Sequence, residues 1–404
     1  MKTYKTQVCV VGGGSSGIGA AIGAAANGAE VILIEKNHIL GGTVTLSWVH
    51  TWEPVCGTSL LCKKLWERMR KIPLGACDVD YSLSASRLNP TTGKRNRPLP
   101  FEPWAYLQAV DEELHKNNVN NIFYNSTFIA SEHRNNKIKR IYCIGPEGRF
   151  AVEADYFIDS TADIYLAREA GCGWSLGGDA KSEYDEPHAP KKGDQNDLNE
   201  VNWIYRVRPT GHPVEVEKSE VPAKAQINDL FAPKMPNEDV LVNICGAGVL
   251  MPGNPTEYKK VMLEQRHLAW DSYRWQVLSG NHPDWEFIGF APQIGIREGF
   301  RLKARYVVNE NDIIAGISGQ SNKEFAVTCD HRMDIHGSSF CRELDEPFGV
   351  PFESLMPKEY DNLLVACRGA GFSHIAAGSC RLSRTMLTLG EAAGKFVARN
   401  ITKI

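Results

Sequence analysis

Hydrophobic and polar positions along the chain fall into a parallel-sheet pattern at both ends and a less regular middle. Residues 7–11 (QVCVV) form a short β-branched run ended by glycines, the pattern of a strand buried on both faces. The small-residue stretch 16–27 (SGIGAAIGAAAN) predicts a helix closed by Gly28 in a C-cap role, and Glu30 to Glu35 (EVILIE) predicts a second buried strand. Pro103 suits the first turn of a helix running to about Asn117, with Trp104, Leu107, Val110 and Leu114 at helical spacing. The runs IFYN, TFIASE, KIKRIYCI and RFAVEADYFID are separated by Asn-Asn and Gly-Pro-Glu-Gly and predict a β-meander ending in a buried strand at Tyr156 to Asp159. Near the C-terminus, Asn362 to Ala366 reads as a strand and Ser379 to Asn400 as one long helix.

The intervening segments are less patterned. Residues 50–102 are irregular, and their basic positions Lys94, Arg95 and Arg97 fit either a solvated loop or a loop over a site. Residues 175–200 are polar and read as a boundary loop; residues 200–340 are mixed and rich in aromatics, among them Trp203, Trp270, Trp275 and Trp285. There is no internal repeat and no low-complexity tract. The fold class is α/β: a Rossmann-like domain, a parallel sheet with an inserted β-meander, plus a mixed α+β substrate domain. The expected division is 1–50 for the first nucleotide-binding segment, 51–102 for an insertion or cap, 103–180 for the second segment, 181–340 for the substrate domain and 341–404 for the C-terminal segment.

Composition narrows the class. A chain of 404 residues with 43% apolar and 23% charged positions is long enough for two joined domains. A net charge of -3 supplies no overall attraction to nucleic acid or an anionic membrane, so neither is expected as a partner. The 11 cysteines include no C-x-x-C pair, which argues against a zinc ribbon or ferredoxin-like cluster and for a reducing compartment; no metal is expected. The first apolar run, Val8 to Val11, is too short for a signal peptide, and no run of about 18 apolar residues offers a membrane span. A cytoplasmic protein is the expectation.

The glycine-rich stretch Gly12 to Ala21 fits two fingerprints. Gly13, Gly17 and Gly19 match the G-x-x-x-G-x-G of short-chain dehydrogenases, which also require a Tyr-x-x-x-Lys pair; none of the 13 tyrosines has lysine four positions on. Gly12, Gly14 and Gly17 match G-x-G-x-x-G: the first allows a tight turn, the second lets backbone approach a pyrophosphate, the third lets helix and strand pack closely. Glu35 stands 18 residues after Gly17, where a carboxylate accepts hydrogen bonds from ribose hydroxyls and repels a 2′-phosphate. The motif therefore favours FAD or NAD over NADP.

The remainder of the chain separates those two. Gly41-Gly42-Thr43 soon after Glu35, the block ADYFIDSTADIYLAREAGC, the block IGIREGFRLKARYVVNENDI, DIHG, and the block VPFESLMPKEYDNLLVACRGAGFSHIAAGSCRLSRTMLTLGEAAGKFVA resemble the glutathione-reductase-like flavoprotein superfamily. Within it, the chain resembles the FAD-dependent oxidoreductases whose members are often labelled putative xanthan lyases, across residues 6–50, 103–180 and 290–404. No residue supports the lyase part of that label. Two positions depart from the family pattern: Ala162 and Cys367 stand where glycine is usual.

The resemblance implies FAD as cofactor. It implies contacts from Gly12, Gly14, Ser15, Ser16, Gly17, Glu35 and Lys36, from Gly41, Gly42 and Thr43, from Ile129 in the meander, and from Ser160, Thr161 and Ala162. From the C-terminal block it adds Arg368, Ser379, Arg381 and Leu382, with the helix beginning near Ser379 to Leu382 turning its N–H groups toward the flavin. The catalytic candidates are His374 in GFSHIAAGS and His50 in SWVHTWEP, with His336 third, since a histidine takes a heteroatom proton near neutral pH. Each also reads as a hydrogen-bonded structural histidine. Arg381, Arg297 and Arg301 suit either an acidic substrate or ion pairs at a domain interface. Trp270, Trp275 and Trp285 suit a sugar platform or core packing, and Cys380 and His50 are candidates for covalent flavin attachment, although this pattern normally binds flavin non-covalently.

The expected function is an FAD-dependent oxidoreductase that moves a hydride from a small polar metabolite, a sugar, hydroxy acid or amino acid, to flavin N5 and passes electrons to an unidentified acceptor. The alternatives are a flavin-dependent reductase with an external donor, since no second G-x-G-x-x-G is evident, and a flavin-binding protein without turnover. A homo-oligomer is compatible with the sequence.

Overall fold

A seven-stranded sheet forms the centre of the molecule. Its strands are β1 (Lys2–Val11), β2 (Val31–Ile34), β3 (Asn121–Phe123), β4 (Thr127–Arg134), β5 (Lys137–Gly145) and β6 (Gly148–Asp159), in the order β3-β2-β1-β6-β5-β4. This computed structural model describes residues 1–52, 59–79, 99–246, 248–251, 254–335, 337 and 340–401. β1 pairs in parallel with β2 on one side (Val10 opposite Leu33) and with β6 on the other (Val10 opposite Ile158). β6 changes partners along its length: its first half carries the antiparallel meander strand β5, and Phe157 to Asp159 pair with a short C-terminal strand, Leu363–Val365. The expected meander and buried strands are therefore present, and the C-terminal block closes the sheet beside the strand that ends at Asp159.

Helix α1 (Ser15–Ala25) covers the sheet, and the last helix of the chain lies against it. The sequence reads Ser379 to Asn400 as one helix; the structure splits this region into a short helix, His374–Ser379, and a long one, Ser383–Ile401, separated by Cys380, Arg381 and Leu382. A Cβ on Gly390 would meet the Ser16 carbonyl, one on Gly394 the Ala20 carbonyl, and one on Gly19 the Leu387 carbonyl. Glycines on both helices thus let two backbones approach closely, and Gly19, part of the rejected dehydrogenase register, is a packing residue.

Helix α2 (Thr43–Leu46) follows the second glycine pair, α3 (Leu60–Lys71) comes from the insertion, and α4 (Pro103–Lys116) follows it. The face of α4 is rotated relative to expectation: Ala105, Tyr106, Ala109, Val110 and Leu114 are buried and Trp104 is exposed. The basic positions Lys94, Arg95 and Arg97 lie outside the described residues.

A second core is built on a three-stranded antiparallel sheet, β7 (Asn202–Pro209) between β8 (Val240–Cys245) and β9 (Trp285–Phe290), covered by the 24-residue helix α5 (Pro255–Leu278). Its buried members run from Val201 to Ile294, whereas Phe300, Leu302, Val308, Val327 and Met333 belong to the first core. The second core is narrower than residues 181–340. Trp285 is buried in it and Trp270 and Trp275 pack against it, so these tryptophans take the core-packing alternative.

Candidate functional site

The C-terminal edge of the parallel strands collects most of the expected nucleotide contacts, the usual ligand position in open α/β sheets. After β1 the chain turns at Gly12 with φ +102, where a Cβ would strike the Ser160 carbonyl; a Cβ on Gly17 would strike the Gly12 carbonyl. Gly14 differs from both: it caps α1 at φ -71 and ψ -176, and a Cβ there has nothing within 4 Å. Among the described residues no side chain caps α1 and no acid occupies its first turn. The first-turn N–H groups of Ser15, Ser16 and Gly17 therefore lack intrahelical acceptors at the positive end of the helix dipole, next to the open space at Gly14.

Two neighbouring segments hold this turn in place. Glu35, buried at the end of β2, accepts the Gly13 N–H through Oε2 at 2.6 Å and the Asn37 N–H through Oε1 at 2.7 Å. The Gly41 N–H donates to the Gly13 carbonyl at 2.9 Å, and Gly42 lies against Gly14, where a Cβ would approach its Cα to 3.1 Å. Gly41 and Gly42 have φ +103 and +55, conformations that favour glycine. Ser160 closes the other side, its N–H on the Val11 carbonyl at 2.7 Å and its Oγ donating to the Ala366 carbonyl at 3.0 Å. Thr161 turns inward to Asp159, and Ala162 has φ +69, the reason that a glycine suits this position. Lys36 is exposed at the rim. Ile129 is exposed on β4, three residues past Ser126, whose N–H donates to the Glu35 carbonyl at 2.9 Å.

The C-terminal candidates divide. The carbonyl of Leu382 accepts the Met386 N–H at 2.9 Å, so the helix α7 (Ser383–Ile401) starts after it; α6 is the short helix His374–Ser379. The donors of the long helix are therefore on Ser383 to Thr385, not near Ser379, a correction to the expected start. Ser379 is buried, its hydroxyl bonded to the His331 carbonyl. Arg381 donates to the Gly378 carbonyl at 3.1 Å and approaches Asp334. Arg368 bonds the Ile296 carbonyl at 2.7 Å and Asp163 at 3.1 Å, tying the loop after Ser160 to the second core. Gly390 on Ser16 pairs the eighth residue of α7 with the second of α1, and Gly19 on Leu387 pairs the fifth residue of each, so the helices run parallel and, at 1.5 Å per residue, the N-terminus of α7 projects on average roughly 4–5 Å past that of α1.

The two catalytic-candidate histidines among the described residues differ in chemistry. His50 is 1% exposed; its Nδ1–H donates to the Trp48 carbonyl at 2.8 Å, which leaves Nε2 as an acceptor, buried and without a hydrogen-bond partner. Burial, with a smaller contribution from Arg206, pushes its pKa down to about 4, so the ring is neutral. It sits at the seam of the two cores, beside Trp48, whose φ of +52 is rare for a bulky residue. His374 opens α6. Its Nδ1–H donates to Glu298 Oε1 at 2.9 Å and its backbone N–H to Asp179 Oδ2 at 2.7 Å. Burial disfavours its charge, but the Glu298 carboxylate and its hydrogen bond outweigh that and raise the pKa. Glu298 is buried too, yet the His374 and Arg301 charges hold it down to about 2. His336 lies outside the described residues.

Arg301 is fully buried, with its donors on Phe372 O, Glu298, Gly177 O and Asp179; it serves the ion-pair alternative. Arg297 bonds the Glu200 carbonyl at 2.6 Å and Cys245 Sγ at 3.0 Å. Cys380 is buried 4.0 Å from Cys329 Sγ. A cavity of about 70 Å³ faces His374, walled by Asp179, Glu186, His188 and Asp197 among others. The dyad connects to the glycine turn: a Cβ on Gly299, next to Glu298, would strike Asp163, three residues past Ser160. Sequence reading missed Glu298, Asp179 and Glu186. The spacing of Glu298 and Arg301 was the only local signal, and it does not reveal a partner at position 374.

The FAD dependent oxidoreductase family matches residues 7–403. The chain belongs to that family. No curated protein matches it. Among solved structures it is similar to a geranylgeranyl bacteriochlorophyll reductase-like protein from Thermoplasma acidophilum, at 14% identity and a TM-score of 0.50, over 99% of this chain and 80% of that one. It also matches CabE, an aromatic hydroxylase from angucycline biosynthesis (13% identity, TM-score 0.42, 74% of this chain), and a flavoprotein/dehydrogenase from Cytophaga hutchinsonii (12%, 0.47, 99% of this chain and 79% of that one). The chain spans only 54% of CabE. At such identities the first likeness speaks for the fold alone.

FAD is the cofactor of this oxidoreductase family, and the residues present fit it. The uncapped α1 terminus with open space at Gly14 suits a pyrophosphate, and the buried Glu35 carboxylate, engaged by the Gly13 and Asn37 N–H groups, braces the turn behind it. The FAD-dependent oxidoreductase also offers a second helix N-terminus, that of α7, farther along the same direction, and a buried acceptor at His50 Nε2. Among the described residues no helix is long and apolar enough to cross a membrane.

Proposed function

We propose that this FAD-dependent oxidoreductase is a dehydrogenase of a small polar metabolite, with His374 as the proton acceptor and Glu298 as the carboxylate that positions it. The observation that carries this reading is the 2.9 Å contact between Glu298 Oε1 and His374 Nδ1, with the ring facing a cavity of about 70 Å³. A carboxylate on Nδ1 fixes the tautomer that leaves Nε2, 3.8 Å from Asp197 Oδ2 on the cavity side, as the nitrogen that accepts a proton, and it stabilises the imidazolium that results. Bound FAD supplies the acceptor for the hydride. The cavity's polar wall favours a polar substrate, and its size favours a small reacting end. The protein is read as cytoplasmic, within the glutathione-reductase-like superfamily, with an unidentified electron acceptor and an oligomeric state to be measured.

The raised pKa of His374 supports a second reading. A histidine that holds its proton near neutral pH also donates it, as a reductase supplied by an external donor requires. The test is an anaerobic absorption screen of the purified protein against sugars, hydroxy acids and amino acids. A dehydrogenase loses its oxidised-flavin bands with one of these classes, and His374→Ala does not. Reoxidation of chemically reduced flavin by an unsaturated compound, with no bleaching in the first screen, would select the reductase.

A further inference from the structure

The cavity in front of His374 has an imbalance of charge that the protein itself does not resolve. Asp179, Glu186 and Asp197 contribute to its wall, and Glu310 stands behind it with an oxygen on the His188 ring. Arg301 pairs with Asp179 and Glu298, and His374 pairs with Glu298 through Nδ1 and stands 3.8 Å from Asp197 Oδ2 through Nε2. Two cations thus face three carboxylates. Glu186 and Glu310 are left opposite a single imidazole, that of His188.

Glu186 shows where the missing positive charge belongs. It is 1% exposed, and its Oε1 accepts the Ser373 hydroxyl and the Glu310 N–H, the latter at 2.8 Å. Its other oxygen, Oε2, is buried with no hydrogen-bond partner. A carboxylate oxygen shut away from water without a donor is costly, and more so when charged. Burial raises the Glu186 pKa, and the Asp179 and Glu310 charges add to the effect. A donor bearing positive charge would relieve both conditions.

The geometry points to an organic cation: we infer that this cavity is a subsite for a primary ammonium group, with Glu186 as its buried acceptor and Asp197 at its mouth. Among the described residues no three His, Cys, Asp or Glu side chains converge as a metal shell. A volume of about 70 Å³ holds roughly two water-sized groups at ~30 Å³ each, the size of a methylammonium head. The apolar members of the wall, Ile335, Phe340 and Ile375, suit the carbon that carries the amine. Within the proposed dehydrogenase, on which this extension rests, the substrate class becomes an amino compound.

The experiment is a calorimetric titration of the oxidised holoenzyme with methylammonium chloride at constant ionic strength. Methanol serves as the neutral isostere and magnesium chloride as the metal arm. Saturable heat with methylammonium alone, weakened at least tenfold in Glu186→Gln and severalfold in Asp197→Asn, is the expected result. The Asp197 side chain is about half exposed, so its variant tests the site even if Glu186→Gln misfolds. Equal responses to methylammonium and methanol, an equal response to magnesium, or unchanged affinity in both variants would overturn the subsite. Methylammonium binding without flavin bleaching by any amine would sustain the subsite and remove the dehydrogenase. Bleaching by a hydroxy acid with no methylammonium binding would do the reverse.

Discussion

Gly390 of the last helix packs directly on the carbonyl of Ser16, at the start of the first helix. That one contact aligns two helix N-termini, one over the glycine turn and one farther on, although the residues are at opposite ends of the chain. Gly390→Ala places a methyl group in backbone space and is expected to push the helices apart. Overpacking of this kind costs about 1–3 kcal/mol. Denaturant unfolding should show that loss, together with faster release of FAD; a variant of unchanged stability would contradict the packing.

Ala162 carries a positive φ that alanine adopts at a cost. Ala162→Gly should stabilise the protein by up to about 1 kcal/mol through relief of that strain, less the added freedom of the unfolded chain. A fall in unfolding temperature would show that the alanine methyl is needed for packing.

The turn itself was legible in the sequence because its causes are local. Gly12, Gly14, Gly17 and Glu35 lie within one strand-turn-helix-strand unit, and each has a role set by backbone sterics or by a buried carboxylate. The helix break at Cys380 to Leu382 was not legible, since no glycine or proline falls within it; the segment GFSHIAAGSCRL is rich in small residues compatible with helix or loop. The acidic cavity was less legible still. Asp179 and Glu186 sit in a polar stretch that reads as a solvated boundary, and only their contacts with Arg301, Ser373 and Glu310, more than 100 positions away, bury them. The rotated face of α4 has the same origin: Trp52, Phe101 and Tyr106 form an aromatic cluster, with ring centroids 5.4 to 6.2 Å apart, that turns Trp104 outward.

Glu298 acts through His374, and its substitution has a signature that a purely structural role lacks. In Glu298→Gln the imidazolium loses its carboxylate, so the pH profile of substrate-driven flavin reduction should move to lower pH. Breaking a buried ion pair also costs about 3–5 kcal/mol, which unfolding would report. An unmoved profile in a folded variant would show that His374 is not the titrating group.

The two histidines give stability opposite dependences on pH. The His374 pKa is raised in the folded state, so its contribution is complete below pH 6.5 and is lost as pH rises through the raised value. The His50 pKa is lowered from 6.5 to about 4, so its contribution is present above pH 6.5 and is lost as pH falls toward 4. Glu298 adds stability above pH 4.5 that is lost as pH falls toward 2. Stability of His50→Gln measured against pH should fall less than that of the parent between pH 6.5 and 4, and His374→Gln should fall less on the alkaline side. Parallel curves for parent and variants would contradict these assignments.

The central claim is that FAD is held at the uncapped turn around Gly14. A Cβ at this position meets no atom of the protein, and φ -71 is open to any residue, so Gly14→Val should leave the fold intact while its side chain fills the space required by the pyrophosphate. The direct measurement is the absorption spectrum and released-flavin content of the purified parent and of Gly14→Val, alongside their unfolding temperatures in the apo form. The expected result is one FAD per chain in the parent, none in the variant, and unfolding temperatures that agree. A colourless parent that takes up no FAD on reconstitution, or a variant that retains its flavin, would contradict the account.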